Sequence, residues 1–142
     1  MTVRVERVVD VPAPPEEVWA FIADPTNRAA AISVVADYEV RGDGSAVWHI
    51  SLPIPVLDRT VAVETEDTAR EPPERVEFEG RSRVMRVVGE HRLEAVDGGT
   101  RLTNRFVVDG RLPGVERYFR KHLDAELENL EDALAAALGV TL

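Results

Sequence analysis

The side chains best placed to do chemistry are His91 and Asn104. On alternation, His91 shares a strand face with Met85, Val87, Gly89 and Leu93, and Asn104 shares one with Leu102, Phe106 and Val108. An imidazole ionises near neutral pH, so His91 in such a place is a candidate general acid or base. Together the two side chains can orient a carbonyl or hydroxyl group. The alternative for each is a core side chain whose polar atoms the protein itself satisfies.

Signals for other kinds of chemistry are weak in this sequence. The chain has no Cys, which excludes disulfides, zinc–thiolate sites and cysteine nucleophiles. The three histidines lack carboxylates at ligand spacing, and no phosphate loop or nucleophile elbow occurs, so we expect no metal and no cofactor. Asp58 and Asp109 are interpreted as caps or solvated carboxylates. Alternation places Trp48 inside and His49 outside, and His122 lies at the edge of a helical stripe.

Composition restricts the class of protein. The 142 residues are 44% hydrophobic, which indicates one globular domain over 1–142. The net charge of −9 argues against a nucleic-acid partner. No apolar run is long enough for a membrane span, and the first ten residues do not resemble a signal peptide, so we expect a cytoplasmic protein. The 16 Arg against one Lys in an acidic chain indicate either a halophilic source or a GC-rich genome.

The elements that must position these side chains follow from periodicity. A first strand with imperfect alternation is predicted from Val3 to Val11, followed by a short helix up to Asp24 and a second helical piece from Thr26 to Ile32. Alternation between turn signals then predicts strands at about 34–41, 45–52, 58–69, 74–80, 84–95 and 101–109. A last helix follows from Val115 to Leu138, with apolar residues every three or four positions. We therefore predict an α+β fold: a seven-stranded antiparallel sheet that receives the long helix on one face.

The charges of the last helix oppose its dipole. Arg117, Arg120 and Lys121 come early and the acids come late, the reverse of the favourable order. One hypothesis is that these three cations and Arg111 form a basic rim that attracts an anionic head group. The alternative is local pairing on a solvated face, for example of Arg120 with Glu116 or Asp124.

Several stretches resemble one protein family. Residues 8–25, VVDVPAPPEEVWAFIADP, are similar to the opening strand, Pro-containing turn and Glu-x-Val-Trp helix of START-like (SRPBCC) proteins, and residues 99–104, GTRLTN, resemble a late strand of the same family. The order of elements resembles that family over essentially the whole chain. The resemblance implies a helix-grip fold, in which the sheet curves around the long helix with an apolar cavity between them. The lining residues that it implies here are Trp48, Ile50, Leu52, Phe78, Met85, Val87, His91, Asn104, Phe106, Tyr118, Phe119 and Leu123.

The family's members leave three functions open. The first is binding or transport of a hydrophobic small molecule, which is lipid-, polyketide- or quinone-like, by a monomer or homodimer. The second is a polyketide cyclase/dehydratase-type enzyme that uses His91 and Asn104 with support from Tyr118. The third is an interaction protein of the chaperone-activator type, with a filled core and no ligand. Fold alone does not choose among them.

Overall fold

The computed structural model describes residues 2–54 and 60–142. Within them lie seven strands and three helices, which are β1 (Thr2–Val11), α1 (Pro15–Ile22), α2 (Pro25–Ala31), β2 (Val35–Val40), β3 (Ala46–Ile50), β4 (Val61–Glu71), β5 (Arg75–Arg81), β6 (Met85–Val96), β7 (Gly99–Gly110) and α3 (Val115–Leu138). The predicted helix-grip architecture is confirmed in element order and type. The predicted start of β4 at residue 58 and the candidate Asp58 lie outside the described residues.

All strands form one antiparallel sheet in the order β1-β7-β6-β5-β4-β3-β2. Consecutive strands from β2 to β7 are neighbours, as short turns require. The last strand, β7, pairs on its other side with β1, which forms the edge of the sheet opposite β2. In β6 and β7 the burial pattern alternates as predicted, so one face packs inward and the other faces solvent. This register places Asn104 directly opposite His91.

The imperfect alternation of β1 has a structural cause in Arg7. The inward positions are Val3, Val5, Arg7, Val9 and Val11, whereas Val8 lies on the outer face and is 58% exposed. Arg7 points toward α3, where its guanidinium forms two hydrogen bonds of 2.9 and 3.0 Å with Glu131 and also bonds Asp124. These carboxylates raise the pKa of Arg7, with the Glu131 hydrogen bond as the largest cause. An ion pair therefore joins the edge strand to the long helix.

Helix α3 spans about 36 Å at ~1.5 Å per residue and lies against the inner face of the sheet. Its buried apolar residues are Val115, Phe119, Leu123, Leu127, Leu130 and Leu134. A glycine flanks the helix at each end. Gly114 precedes it with a φ of 99°, and Gly139 follows it with a φ of 65°; both values lie in a region that favours glycine. Arg120 pairs with Glu116, as the local-pairing alternative predicted, while Asp124 pairs with Arg7.

The core consists of two apolar clusters. The larger one lies under the first half of α3 and includes Trp48, Phe78, Phe106 and Phe119; the smaller one lies under its second half and includes Leu93, Leu102, Leu130 and Leu134. The close packing of the larger cluster depends on Gly89, because a Cβ there would stand 2.2 Å from Cε1 of Phe78. The Phe78 ring thus occupies the space that any other side chain at position 89 would fill.

Candidate ligand-binding site

A small apolar cavity lies between the sheet and α3. Its volume is about 20 Å³, and it is lined by Ile32, Val34, Trp48, Ile50, Met85, Val87, Phe106, Val108, Phe119, Leu123 and Glu126. A volume of this size holds about one water molecule. The large side chains of β3, β6, β7 and α3 fill most of the space between the layers. The site is therefore nearly closed in this structure.

The structure brings together seven of the twelve residues that the resemblance implied as lining. These are Trp48, Ile50, Met85, Val87, Phe106, Phe119 and Leu123. Leu52, Phe78, His91 and Asn104 are buried but do not line the cavity, and Tyr118 is half-buried beside it. The lining also includes Ile32, Val34, Val108 and Glu126, which were not among the twelve.

His91 and Asn104 form a fully buried hydrogen-bonded pair at the boundary between the two apolar clusters. Nδ1 of His91 lies 2.7 Å from Oδ1 of Asn104, which assigns the imidazole proton to Nδ1. With this assignment His91 donates, and its Nε2 is a buried acceptor without a partner; Asn104 Nδ2 is likewise a buried donor without one. Burial is the main cause that lowers the pKa of His91 to about 4. The imidazole is therefore neutral near pH 7, and its Nε2 can accept a hydrogen bond but cannot donate one.

Arg28 of α2 is a buried cation close to this pair. Its Nη2 donates to Asp67 at 2.6 Å, and its guanidinium carbon lies 5.0 Å from the centre of the Phe78 ring. Burial lowers the pKa of Arg28, and the Asp67 carboxylate opposes that shift. The positive charge of Arg28 also contributes to the low pKa of His91, after burial. The burial of Arg28 was not predicted. The sequence signal for it is helical spacing: Arg28 lies one residue before the buried Ala29 and four before the buried Ile32, on the inner side of α2.

Trp48 lies between the buried polar side chains of His91, Asn104 and Arg28 and the apolar cavity. Its ring lies 5.5 Å from that of Phe78, which in turn stands near His91 and Phe106. The indole Nε1 is buried and has no hydrogen-bond partner. Buried donors are normally paired, so this N–H is an unusual feature of the core.

Glu126 is a buried carboxylate that the sequence analysis did not single out. It accepts hydrogen bonds from Ser33 Oγ at 2.7 Å, from the Ser33 backbone N at 3.2 Å and from Asn129 Nδ2 at 2.9 Å. These contacts join α3 to the segment between α2 and β2, beside the cavity. The signal that indicates its burial is its spacing, three residues after Leu123 and four before Leu130, on the apolar stripe.

One end of the core is covered by half-buried residues from three loops and α3. Ile54 packs against Gly114, Val84 and Leu112 lie on the larger cluster, and the Tyr118 ring stands 4.5 Å from that of His122. Burial is the main cause that raises the pKa of Tyr118, so its hydroxyl is protonated at neutral pH. These partly buried side chains pack on the larger core cluster, which contains most of the residues that line the cavity.

The remaining candidates lie away from the cavity. His49 is on the outer face of β3 and is half-buried, which is less exposed than predicted, and Asp109 lies within β7 rather than in a turn. In residues 2–54 and 60–142 no group of three His, Asp or Glu side chains is placed to hold a metal ion. The same residues include no helix that is both long and apolar enough to cross a membrane.

Comparison with known proteins identifies the family. The model of the family described as polyketide cyclase/dehydrase and lipid transport matches residues 2–135, and the chain belongs to that family. No curated protein sequence matches the chain. Many solved structures share the fold, at identities that show the fold alone.

Three of these structures illustrate its range. The Zhui aromatase/cyclase from a Streptomyces species is 21% identical over 98% of this chain and 93% of its own, with a TM-score of 0.67. A START superfamily protein from Mycobacterium smegmatis is 14% identical over 94% and 95%, with a TM-score of 0.70. A protein of Thermus thermophilus is 22% identical over 96% and 99%, with a TM-score of 0.69.

Proposed function

We propose that the protein binds a hydrophobic small molecule with one hydrogen-bonding oxygen, held between the sheet and α3. The observation that carries this proposal is that Trp48, with its unpaired Nε1, lines an apolar cavity. A buried polar group without a partner costs about 1–3 kcal/mol, which a ligand oxygen at Nε1 would recover. The family description supports the same chemical class, since it includes lipid transport and lipids are largely apolar.

The size of the cavity adds a requirement. A space of about 20 Å³ does not hold a lipid-, polyketide- or quinone-like molecule, so binding needs the lining side chains to move apart. Met85 is the most adaptable of them, because an unbranched thioether changes rotamer easily. Phe119 and Leu123 are carried by α3 and move with it. We expect binding to be accompanied by a shift of these residues.

The cyclase/dehydratase alternative has less support. It needs a group that gives up a proton, and the low pKa of His91 leaves its imidazole neutral and without a proton at Nε2. The hydroxyl of Tyr118 is protonated, but Tyr118 is not among the residues that line the cavity. His91 and Asn104 also stand outside the cavity lining.

The first test is solvent extraction of gently purified protein, read by mass spectrometry against a denatured control. A stoichiometric apolar molecule supports the proposal and names its chemical class. The second test is fluorescence titration with prodan, a naphthalene probe with a ketone oxygen, and with N-phenyl-1-naphthylamine, which has none. Trp48→Phe is expected to weaken prodan binding about fivefold, by ~1 kcal/mol, and to leave the amine probe within about twofold.

A matched pair of variants tests the location. Val87→Leu adds a methylene group to the cavity wall, whereas Val88→Leu adds the same group to the outer face of the same strand. We expect the first to weaken both probes roughly tenfold and the second to leave them unchanged. A blank extraction together with no saturable probe binding would overturn the proposal and favour the filled-core interaction protein.

A further inference from the structure

Basic residues are concentrated in two short segments of this acidic chain. Residues 81–86 and 111–121 contain 7 of the 17 basic side chains and a single acidic one, Glu116. The rest of the chain contains 10 basic and 25 acidic side chains. The net charge of −9 therefore conceals a local excess of positive charge.

The two segments meet at one end of the molecule. The backbone N of Arg111 donates to the carbonyl oxygen of Val84 at 2.8 Å, and Gly110 pairs with Met85 at the ends of β7 and β6. The half-buried apolar residues Ile54, Val84, Leu112 and Tyr118 pack there on the larger core cluster. We use the name basic cap for these four apolar residues with the exposed cations Arg83, Arg111, Arg117 and Lys121.

The four cations of the basic cap are not committed to other groups in the described structure. Among residues 2–54 and 60–142 none of them forms an ion pair, whereas Arg120 pairs with Glu116, and Arg81 and Arg86 pair with Glu79. The basic cap thus combines four unpaired cations with half-buried apolar side chains. This combination is typical of protein surfaces that bind at the boundary between lipid head groups and acyl chains.

We propose that the basic cap docks on an anionic lipid bilayer. Each Lys or Arg near such a surface contributes roughly fivefold in affinity, and the apolar residues contribute by entering the head-group region. Charges more than about 8 Å from the bilayer are largely screened at physiological ionic strength. The local excess of positive charge therefore determines the attraction to the bilayer, and the net charge does not. The apolar residues of the basic cap pack on the same core cluster that contains most of the cavity-lining residues.

Vesicle sedimentation tests this directly. The intact protein is expected to bind vesicles of phosphatidylglycerol and phosphatidylcholine in roughly equal amounts at low salt. It is expected not to bind pure phosphatidylcholine, and to be released from the mixed vesicles at high salt. Arg83→Glu with Arg117→Glu is expected to reduce binding at least tenfold. Arg41→Glu with Arg105→Glu changes the net charge equally at exposed positions outside the basic cap and is expected to have less than a twofold effect.

Two outcomes would overturn the inference. The first is no binding of the intact protein to the anionic vesicles, and the second is an equal loss with both double variants, which would show a response to net charge alone. Thermal unfolding of both variants checks that they are folded. Leu112→Ser tests the apolar contribution and is expected to weaken binding without changing its salt dependence. This inference depends only on the residues of the basic cap and not on the proposed ligand. If solvent extraction finds no ligand, binding to anionic vesicles would still support it.

Discussion

The His91 imidazole and the Asn104 amide lie 2.7 Å apart, and both side chains are completely buried between the two apolar clusters of the core. Each retains one polar atom without a partner. Placing such a pair inside a protein is unfavourable unless the hydrogen bond compensates for the lost water, so the pair is sensitive both to protonation and to loss of either member.

The first prediction concerns pH. The pKa of His91 is about 4 in the folded protein, below the ordinary value of 6.5, so between these values the unfolded chain binds the additional proton. The contribution of His91 to stability is therefore complete above about pH 6.5 and is lost as the pH falls toward 4. From pH 7.5 to pH 5 we expect a loss of about 2 kcal/mol in the free energy of unfolding.

The control for this prediction is His91→Gln, which keeps hydrogen-bonding atoms but does not titrate. Urea denaturation at both pH values measures the difference. We expect the variant to be less stable than the native sequence at pH 7.5 and to lose about 2 kcal/mol less on acidification. Equal losses in both proteins would mean that His91 titrates normally.

The second prediction concerns the pair between β1 and α3. Arg7→Leu leaves Glu131, whose side chain is only 10% exposed, without its cation, and we expect a loss of about 2 kcal/mol. The double variant Arg7→Leu with Glu131→Leu is expected to be closer to the native protein, because no buried charge then remains unpaired; Asp124, the other partner of Arg7, is exposed. Arg101→Leu, which breaks an exposed pair with Asp10, is the control and is expected to cost under about 0.5 kcal/mol. Additive effects of the single changes at positions 7 and 131, measured by denaturation, would contradict this interpretation.

The third prediction concerns the contact between Gly89 and Phe78. Gly89→Ala would put a Cβ too close to the edge of the Phe78 ring, which neighbouring aromatic side chains hold in place, and we expect a cost of about 2–3 kcal/mol. Adding Phe78→Leu to Gly89→Ala is expected to recover part of that loss. Gly42→Ala has open space around it and is the matched control, with an expected change under about 0.5 kcal/mol. Thermal unfolding of the native protein and the three variants measures these changes. If the double variant is no more stable than Gly89→Ala alone, the Phe78 ring is not the obstacle.

The fourth prediction concerns Glu126. Glu126→Ala removes the acceptor for the Ser33 amide and hydroxyl, so the segment between α2 and β2 is expected to open more often. Hydrogen exchange at the Ser33 and Val34 amides should become roughly tenfold faster, which corresponds to ~1.4 kcal/mol of lost protection. Glu128→Ala, an exposed position on the same helix, should leave both amides unchanged. If the two variants behave alike, the carboxylate does not hold this segment.

Periodicity predicted the order and type of the elements, whereas the helix-grip arrangement followed from the family resemblance. The strand positions of His91, Asn104 and Phe106 follow from alternation, because side chains in a strand point to opposite faces in turn. The partners of Arg7 could not be recovered, since Glu131 and Asp124 lie more than 110 residues away in sequence. Cavity size was also out of reach, because it depends on how the rings of Trp48 and Phe119 pack in three dimensions.

The strand order has a consequence for how the chain is made. Thr2 pairs with Asp109 and Val11 with Thr100, so β1 leaves the ribosome about 100 residues ahead of its neighbour in the sheet. At ~5–20 residues per second this delay is roughly 5–20 s. During that time the valine face of the N-terminal segment has no strand to pair with and no α3 to cover it. The sheet is therefore complete only after β7 has been made, and until then the inward valine face of β1 lacks both its partner strand and its cover.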